Sequence, residues 1–181
     1  MALTQAILAL LTKKSASGYD LAKQFNADFV HLWKASQQQV YRELTKLEEQ
    51  GLVSCEIVPR DAFLDKKLCS ITDAGKKYLM EWINKPSQPA ILREDLILKM
   101  LAGGLVEPRV LREELERHRR LHLDALTKFQ GIEKNYLDNK KSLTAEKKLQ
   151  YLAVRRGVCY EQDWLNWCDE ALEAIEELEK L

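Results

Sequence analysis

Residues 36–42 read Ser-Gln-Gln-Gln-Val-Tyr-Arg. At helical spacing Gln37, Gln38, Tyr41 and Arg42 share the face opposite Val40, Leu44 and Leu47. A glutamine amide can pair with an adenine edge, and an arginine with guanine or a phosphate. Ser36 and Gln39 have the spacing of a capping box, which fixes where such a helix begins. Arg60, Lys66 and Lys67 flank the tip of a predicted hairpin, where they could meet phosphates or a minor groove. Ser15 and Ser17, with the backbone N–H groups of the helix that follows and Tyr19 beside them, could hold one more phosphate.

The elements that would carry these groups follow from apolar spacing. Residues 3–13 read as a first helix with Ile7, Leu10 and Leu11 on one face, and residues 18–25 as a short second helix with Leu21 and Phe25 four apart. The third helix starts at the capping box and is closed by Gly51. Leu52–Val58 and Lys67–Ile71 are β-rich runs joined by a long tip at Pro59–Asp65. Thr72-Asp73 caps a fourth helix carrying Leu79, Trp82 and Ile83. Helix, turn, helix, capped helix, hairpin, helix is the order of a winged helix-turn-helix, in which a tri-helical core holds the third helix rigid for a major groove.

The chain has 181 residues, 46% apolar and 31% charged, with 7 Gly and 4 Pro. That composition predicts a mainly α globular protein and argues against disorder. Lys plus Arg is 28 and Asp plus Glu is 28, so binding of nucleic acid by bulk charge is excluded and any contact must come from a local patch. The run Ala6–Leu11 is too short to span a bilayer and has neither a basic lead nor a cleavage site, so a cytoplasmic protein is expected. Cys55, Cys69, Cys159 and Cys168 form no CxxC and are expected as free thiols. Paired catalytic carboxylates, a Ser/His/Asp set, a P-loop and GxGxxG are all missing, so neither an enzyme nor a cofactor is expected, and no catalytic residue is assigned.

Asn84–Pro89 holds two prolines in polar company and marks a boundary. The expected division is 1–84, a linker at 85–92, and a helical module at 93–181. In that module Glu94–Leu101 is a short apolar helix stopped by Gly103-Gly104, and Pro108 suits the first turn of a long helix. Leu111, Leu115, His118, His122, Ala125, Phe129, Ile132 and Tyr136 then recur in alternating steps of four and three, a heptad seam. A second long helix, about Thr144 to Leu178, carries Tyr151, Val154, Val158, Leu165, Cys168, Leu172 and Ile175, with Glu161 as a polar interruption. Asn135–Ser142 can turn, so the two helices are expected to pack antiparallel like a coiled coil. A two-helix hairpin leaves one apolar flank in water, and a second copy would cover it. Leu111, Leu115, His118, His122, Phe129, Ile132, Trp164, Leu165, Cys168, Leu172 and Ile175 are the expected dimerisation residues.

Ser17-Gly18-Tyr19-Asp20-Leu21, then Gln39–Leu44 leading to Leu47-Glu48 and Gly51-Leu52-Val53, then Lys67 leading to Ser70–Gly75, resemble the PadR family of bacterial transcriptional regulators. Trp33–Leu44 further resembles its AphA-like, virulence-activator branch, which has a long helical C-terminal domain. The resemblance implies a homodimer that binds a palindromic promoter site on double-stranded DNA through the third helix and the wing. Two departures stand in the wing: Leu68-Cys69 where an aromatic is usual, and Ala62-Phe63-Leu64 where glycine is common.

Three features could carry regulation. His118 and His122 are four apart, a spacing that can chelate a metal, but no third ligand is evident and no metal site is assigned. Two imidazoles in an apolar seam would make that seam sensitive to pH. Cys55 and Cys69 are equidistant from the hairpin tip and could face each other as a redox pair. Trp33, Tyr78, Trp82, Trp164 and Trp167 could line a site for a small aromatic effector, since some PadR relatives answer to phenolic ligands; the virulence-activator type points instead to a partner regulator. The alternative to DNA binding is a winged-helix adaptor that docks proteins.

Overall fold

The computed structural model describes residues 2–27, 35–59, 65–89, 94–138 and 143–180. The chain forms two compact units, Met1–Pro89 and Ala90–Leu181. The first holds α1 (Ala2–Leu11), α2 (Gly18–Ala27), α3 (Gln37–Glu49), β1 (Val53–Val58), β2 (Lys66–Ile71) and α4 (Asp73–Ile83). The second holds α5 (Asp95–Leu101), a 3₁₀ turn (Gly103–Leu105), α6 (Pro108–Leu137) and α7 (Ala145–Leu178). The first helix stops at Leu11, two residues short of the expected end. There the chain turns, with the Thr12 hydroxyl donating to the Ala9 carbonyl.

The core of the first unit is made where the apolar faces of its helices converge. Ile7, Leu8, Leu21, Phe25, Val40, Leu44 and Leu47 are buried together with Leu79 of α4. β1 and β2 form a two-stranded antiparallel sheet in the register Val53↔Ile71, Cys55↔Cys69 and Val58↔Lys66. β2 also makes a bridge to the α1–α2 turn, where Ala16 and Cys69 exchange both backbone hydrogen bonds at 3.0 Å. The helices and the wing are therefore one packed body, with α3 wedged among α1, α2 and β1. The Thr4 hydroxyl donates to Glu43 and ties α1 to α3.

α4 is seated against the start of β1. Thr72 caps it by accepting from the Gly75 N–H and by donating to the Gly51 carbonyl at 2.7 Å. A Cβ at Gly75 would lie 2.1 Å from the Leu52 carbonyl oxygen. Backbone cannot rotate away as a side chain can. Gly75→Ala is expected to lower stability by about 2–3 kcal/mol, read from the shift in urea midpoint, despite alanine's better helix propensity.

In the second unit α6 and α7 pack as an antiparallel hairpin. Leu111, Leu115, Trp164, Cys168 and Ile175 close one cluster with Leu96 of α5; Leu126, Phe129, Val154, Val158 and Leu165 close another. A Cβ on Gly157 would meet the Phe129 ring at 2.4 Å, so this glycine lets the helices approach. Ion pairs join the rims: Arg119 to Asp169 at 2.6 Å, Arg155 to Glu133 at 3.4 Å, and Arg112 to Glu179. Glu114 receives Arg117 and Lys99, which hold its carboxyl at about 2, and so fastens α5 to α6.

This geometry corrects the expected use of the seam. Leu111, Leu115, Phe129, Trp164, Leu165, Cys168 and Ile175 are buried inside one chain, and Leu115 and Cys168 are 0% exposed. A side chain with no accessible area has none left to give to a second copy. His118, His122, Ile132 and Leu172 are half-buried at the same seam. The heptad spacing belongs to the packing of α6 on α7. Large apolar side chains left in water lie elsewhere: Leu98, Leu101, Leu105, Val106 and Val110 around the turn into α6, Leu121 and Leu123 on α6, and Leu149 and Leu152 on α7.

Candidate nucleic-acid interface

The start of α3 is built as the sequence predicts. The Ser36 hydroxyl accepts from the Gln39 N–H at 3.2 Å, and the Gln39 carbonyl oxygen Oε1 accepts from the Ser36 N–H at 2.8 Å. Gln39 is thereby spent on the cap. Gln37, Gln38, Tyr41 and Arg42 stand exposed on the first two turns, opposite the buried Val40, Leu44 and Leu47. Among the described residues the side chains of Gln37, Gln38 and Arg42 have no hydrogen-bond or ion-pair partner, and all three residues are exposed, as groups that read base edges must be before they bind. Tyr41 also serves packing. Its ring lies over Gly18, where a Cβ would sit 2.7 Å from Cε1, so it holds α3 against the start of α2.

The flanking groups are more engaged than their residue types suggest. Ser17 is buried, and its hydroxyl accepts from the Asp20 N–H and donates to the Asp20 carboxylate at 2.9 Å. It is the cap of α2, and its hydroxyl is not available to a phosphate as expected. Ser15 is exposed, with its oxygen 2.6 Å from that of Ser70. Tyr19 is exposed at 59%. Lys66 lies 2.5 Å from Asp20, and Lys67 lies 2.6 Å from Glu48 of α3. Both wing lysines are ion-paired, and the Lys66 hydrogen bond holds the Asp20 carboxyl below its usual range. The Lys67 pair, on the more exposed of the two lysines, is of a kind worth about 0–1 kcal/mol, so a phosphate can take that lysine at small cost. Arg60 lies outside the described residues.

Two cations escaped the sequence reading. Lys14 and Lys23 line a groove with Ser15, Gln24, Lys66 and Leu68, between the α1–α2 turn and the wing. Neither stands in a motif. Only the folding of β2 against the turn brings them beside Lys66, so periodicity had no means of finding them.

The wing cysteines are not free thiols. Cys55 and Cys69 are joined by a disulfide, as direct neighbours in the ladder, while Cys159 and Cys168 are unpaired. The five aromatic residues expected to line a single pocket are distributed: Tyr78 and Trp82 on α4 in the first unit, Trp164 and Trp167 in edge-to-face contact on α7 in the second, and Trp33 outside the described residues. The described residues contain no cluster of three metal-ligating side chains, and no described helix is long and apolar enough to cross a membrane.

Comparison with known proteins covers both units. Residues 7–81 match the transcriptional regulator PadR-like family and residues 92–176 the virulence activator alpha C-terminal family. A probable transcriptional regulator of Mycobacterium tuberculosis is 30% identical over 98% of this chain and 99% of its own. The structure of the Vibrio cholerae virulence activator AphA superposes with a TM-score of 0.79 at 34% identity, over 97% of this chain and 99% of that one. Bacillus subtilis PadR in complex with operator DNA shares the fold, with a TM-score of 0.84 at 24% identity over 97% and 99%.

Proposed function

We infer that this chain, which belongs to the PadR-like family of transcriptional regulators, binds promoter DNA as a homodimer on a palindromic site. The observation that carries the reading is the unengaged polar face of α3, held in place by its capping box beside a lysine-lined wing. Gln37, Gln38 and Arg42 read base edges in the major groove, with Tyr41 at their side. Ser15, Tyr19, Arg60, Lys66 and Lys67 fix the register on the backbone. Residues 1–84 are the reading domain, 85–92 the linker and 93–181 the helical module that pairs two chains. The pairing uses the apolar side chains that α5, α6 and α7 leave exposed, since the inner seam is already filled. The protein works in the cytoplasm, where its DNA lies.

Bacillus subtilis PadR has been solved with p-coumaric acid. Here His118, Tyr160 and Trp164 border an open groove on the helical module, where a small aromatic ligand would find rings; the groove's Lys99 and Arg117 are already paired with Glu114.

The test is a salt titration on duplex DNA. A reader of this kind loses affinity linearly in log–log form, with a slope set by the phosphates it neutralises. Arg42→Ala and Gln38→Ala are each expected to cost about 1–3 kcal/mol on the cognate site and little on random duplex. Lys67→Ala is expected to weaken all sequences alike and to lower the salt slope by about one. Salt-insensitive binding to a protein partner, with these variants unchanged on DNA, would instead identify an adaptor.

A further inference from the structure

We propose that the Cys55–Cys69 pair is a reversible redox site that sets the order of the wing, and through it the affinity for DNA. The proposal rests on the DNA-binding reading above.

The two strands of the wing are held very differently. β2 is anchored along its length. Cys69 exchanges two backbone hydrogen bonds with Ala16, Ser70 meets Ser15, Lys66 meets Asp20, and Lys67 meets Glu48. Among the described residues β1 is anchored in its first half, where Val53 is buried in the core and Cys55 packs against it. Beyond Cys55 its side chains Glu56, Ile57 and Val58 are all exposed. Among the described residues that outer half pairs with β2 alone, in a two-stranded sheet, an arrangement of marginal stability in water. The disulfide sits where the anchored and unanchored parts meet, and ties the outer strand to Cys69, which is 2% exposed. With the bond closed, the segment that leads to the tip is held to a fixed strand. With it open, that segment keeps only its ladder hydrogen bonds.

The chemistry is a two-electron exchange with a hydroperoxide. The Cys55 thiolate, on the more accessible of the two residues, attacks the outer peroxide oxygen. The O–O bond breaks, an alcohol leaves with a proton, and Cys55 becomes a sulfenic acid. The Cys69 sulfur then attacks the Cys55 sulfur; the S–S bond forms, the S–O bond breaks, and hydroxide leaves as water with the Cys69 proton. Two thiols are oxidised and one peroxide is reduced. A dithiol reverses the step by thiol–disulfide exchange.

A wing ordered before binding loses less entropy on the DNA, so the oxidised form is expected to bind about three- to tenfold more tightly. The test uses the full chain carrying Cys159→Ser, to remove the exposed thiol, and a labelled duplex that the protein has itself selected from a random pool. Alkylation with mass measurement counts thiols after dithiothreitol and after hydrogen peroxide, and anisotropy reads the Kd of each form. The expected result is two additional labels on reduction, a three- to tenfold rise in Kd, and recovery of both with peroxide. Cys55→Ser, at the half-buried member of the pair, is expected to stay at the reduced affinity under either treatment. Wing thiols that remain reactive after peroxide, or equal affinities of the two forms, would overturn the switch alone. Failure of both forms to prefer the selected duplex over random DNA would overturn the DNA reading and the switch with it.

Discussion

Removing residues 93–181 is expected to reduce operator affinity by about 10²–10⁴-fold while leaving the winged helix folded. Folding is retained because every buried residue of that core, from Ile7 to Leu79, comes from the first unit. On the proposed reading affinity is lost because one α3 would present only Gln37, Gln38, Tyr41 and Arg42 to the groove, enough for a few base pairs. Two such faces joined through the helical module would bind in one event, the second at the high effective concentration that the first creates. Anisotropy on the full operator measures the affinity and sedimentation the mass. A fragment that still sediments as a dimer, or that keeps full affinity, would show that α6 and α7 are not what couples the two readers.

The second large effect lies inside that hairpin. Glu161 is 5% exposed on α7, and His122 Nδ1 lies 2.6 Å from its carboxylate. The imidazole is itself stacked on Trp164, with ring centroids 4.5 Å apart. His122→Leu leaves the carboxylate buried without its partner and is expected to cost about 2–4 kcal/mol. His122→Leu with Glu161→Leu, which removes both polar groups, is expected to return to within about 1 kcal/mol of the parent. Urea unfolding of the two single variants and the double closes the cycle. Additive losses would mean that the pair is not coupled.

His118, one turn before His122, adds a pH dependence with a definite sign. Burial, and then the neighbouring Arg117, hold its imidazole below the ordinary value, so folding favours the neutral ring. That contribution is complete above the ordinary imidazole pKa and is lost as the pH falls toward the lowered one. Acid should therefore loosen the α6–α7 packing.

The sequence was most legible where one residue pattern has one physical solution. Ser36 and Gln39 cap α3 reciprocally, and the spacing of Val40, Leu44 and Leu47 determines which face Gln38 and Arg42 take. Equal distance from the hairpin tip paired Cys55 with Cys69 in register, although the bond between them ran against the expectation of free thiols. Pro108 marked the first turn of α6, where its missing N–H costs nothing.

It was less legible where two arrangements share a pattern. A heptad repeat has the same spacing whether its partner is the next helix of the same chain or a helix of another. In this chain α7 is the partner, so Leu115 and Cys168 are buried at home, and the proposed dimer would be left with the outer leucines. Nor does charge type reveal engagement. Lys66 and Lys67 look like free cations in the sequence, and only the tertiary fold sets them against Asp20 and Glu48.

On the proposed reading two copies of α3 read one duplex at a fixed separation. A hydroxyl-radical footprint of the full chain on its selected site, with the stoichiometry taken from sedimentation of the same complex, tests it most directly. Two chains per duplex are expected, with protected major-groove segments centred about 10 base pairs apart or a multiple of that. A single protected segment with one chain bound would contradict it.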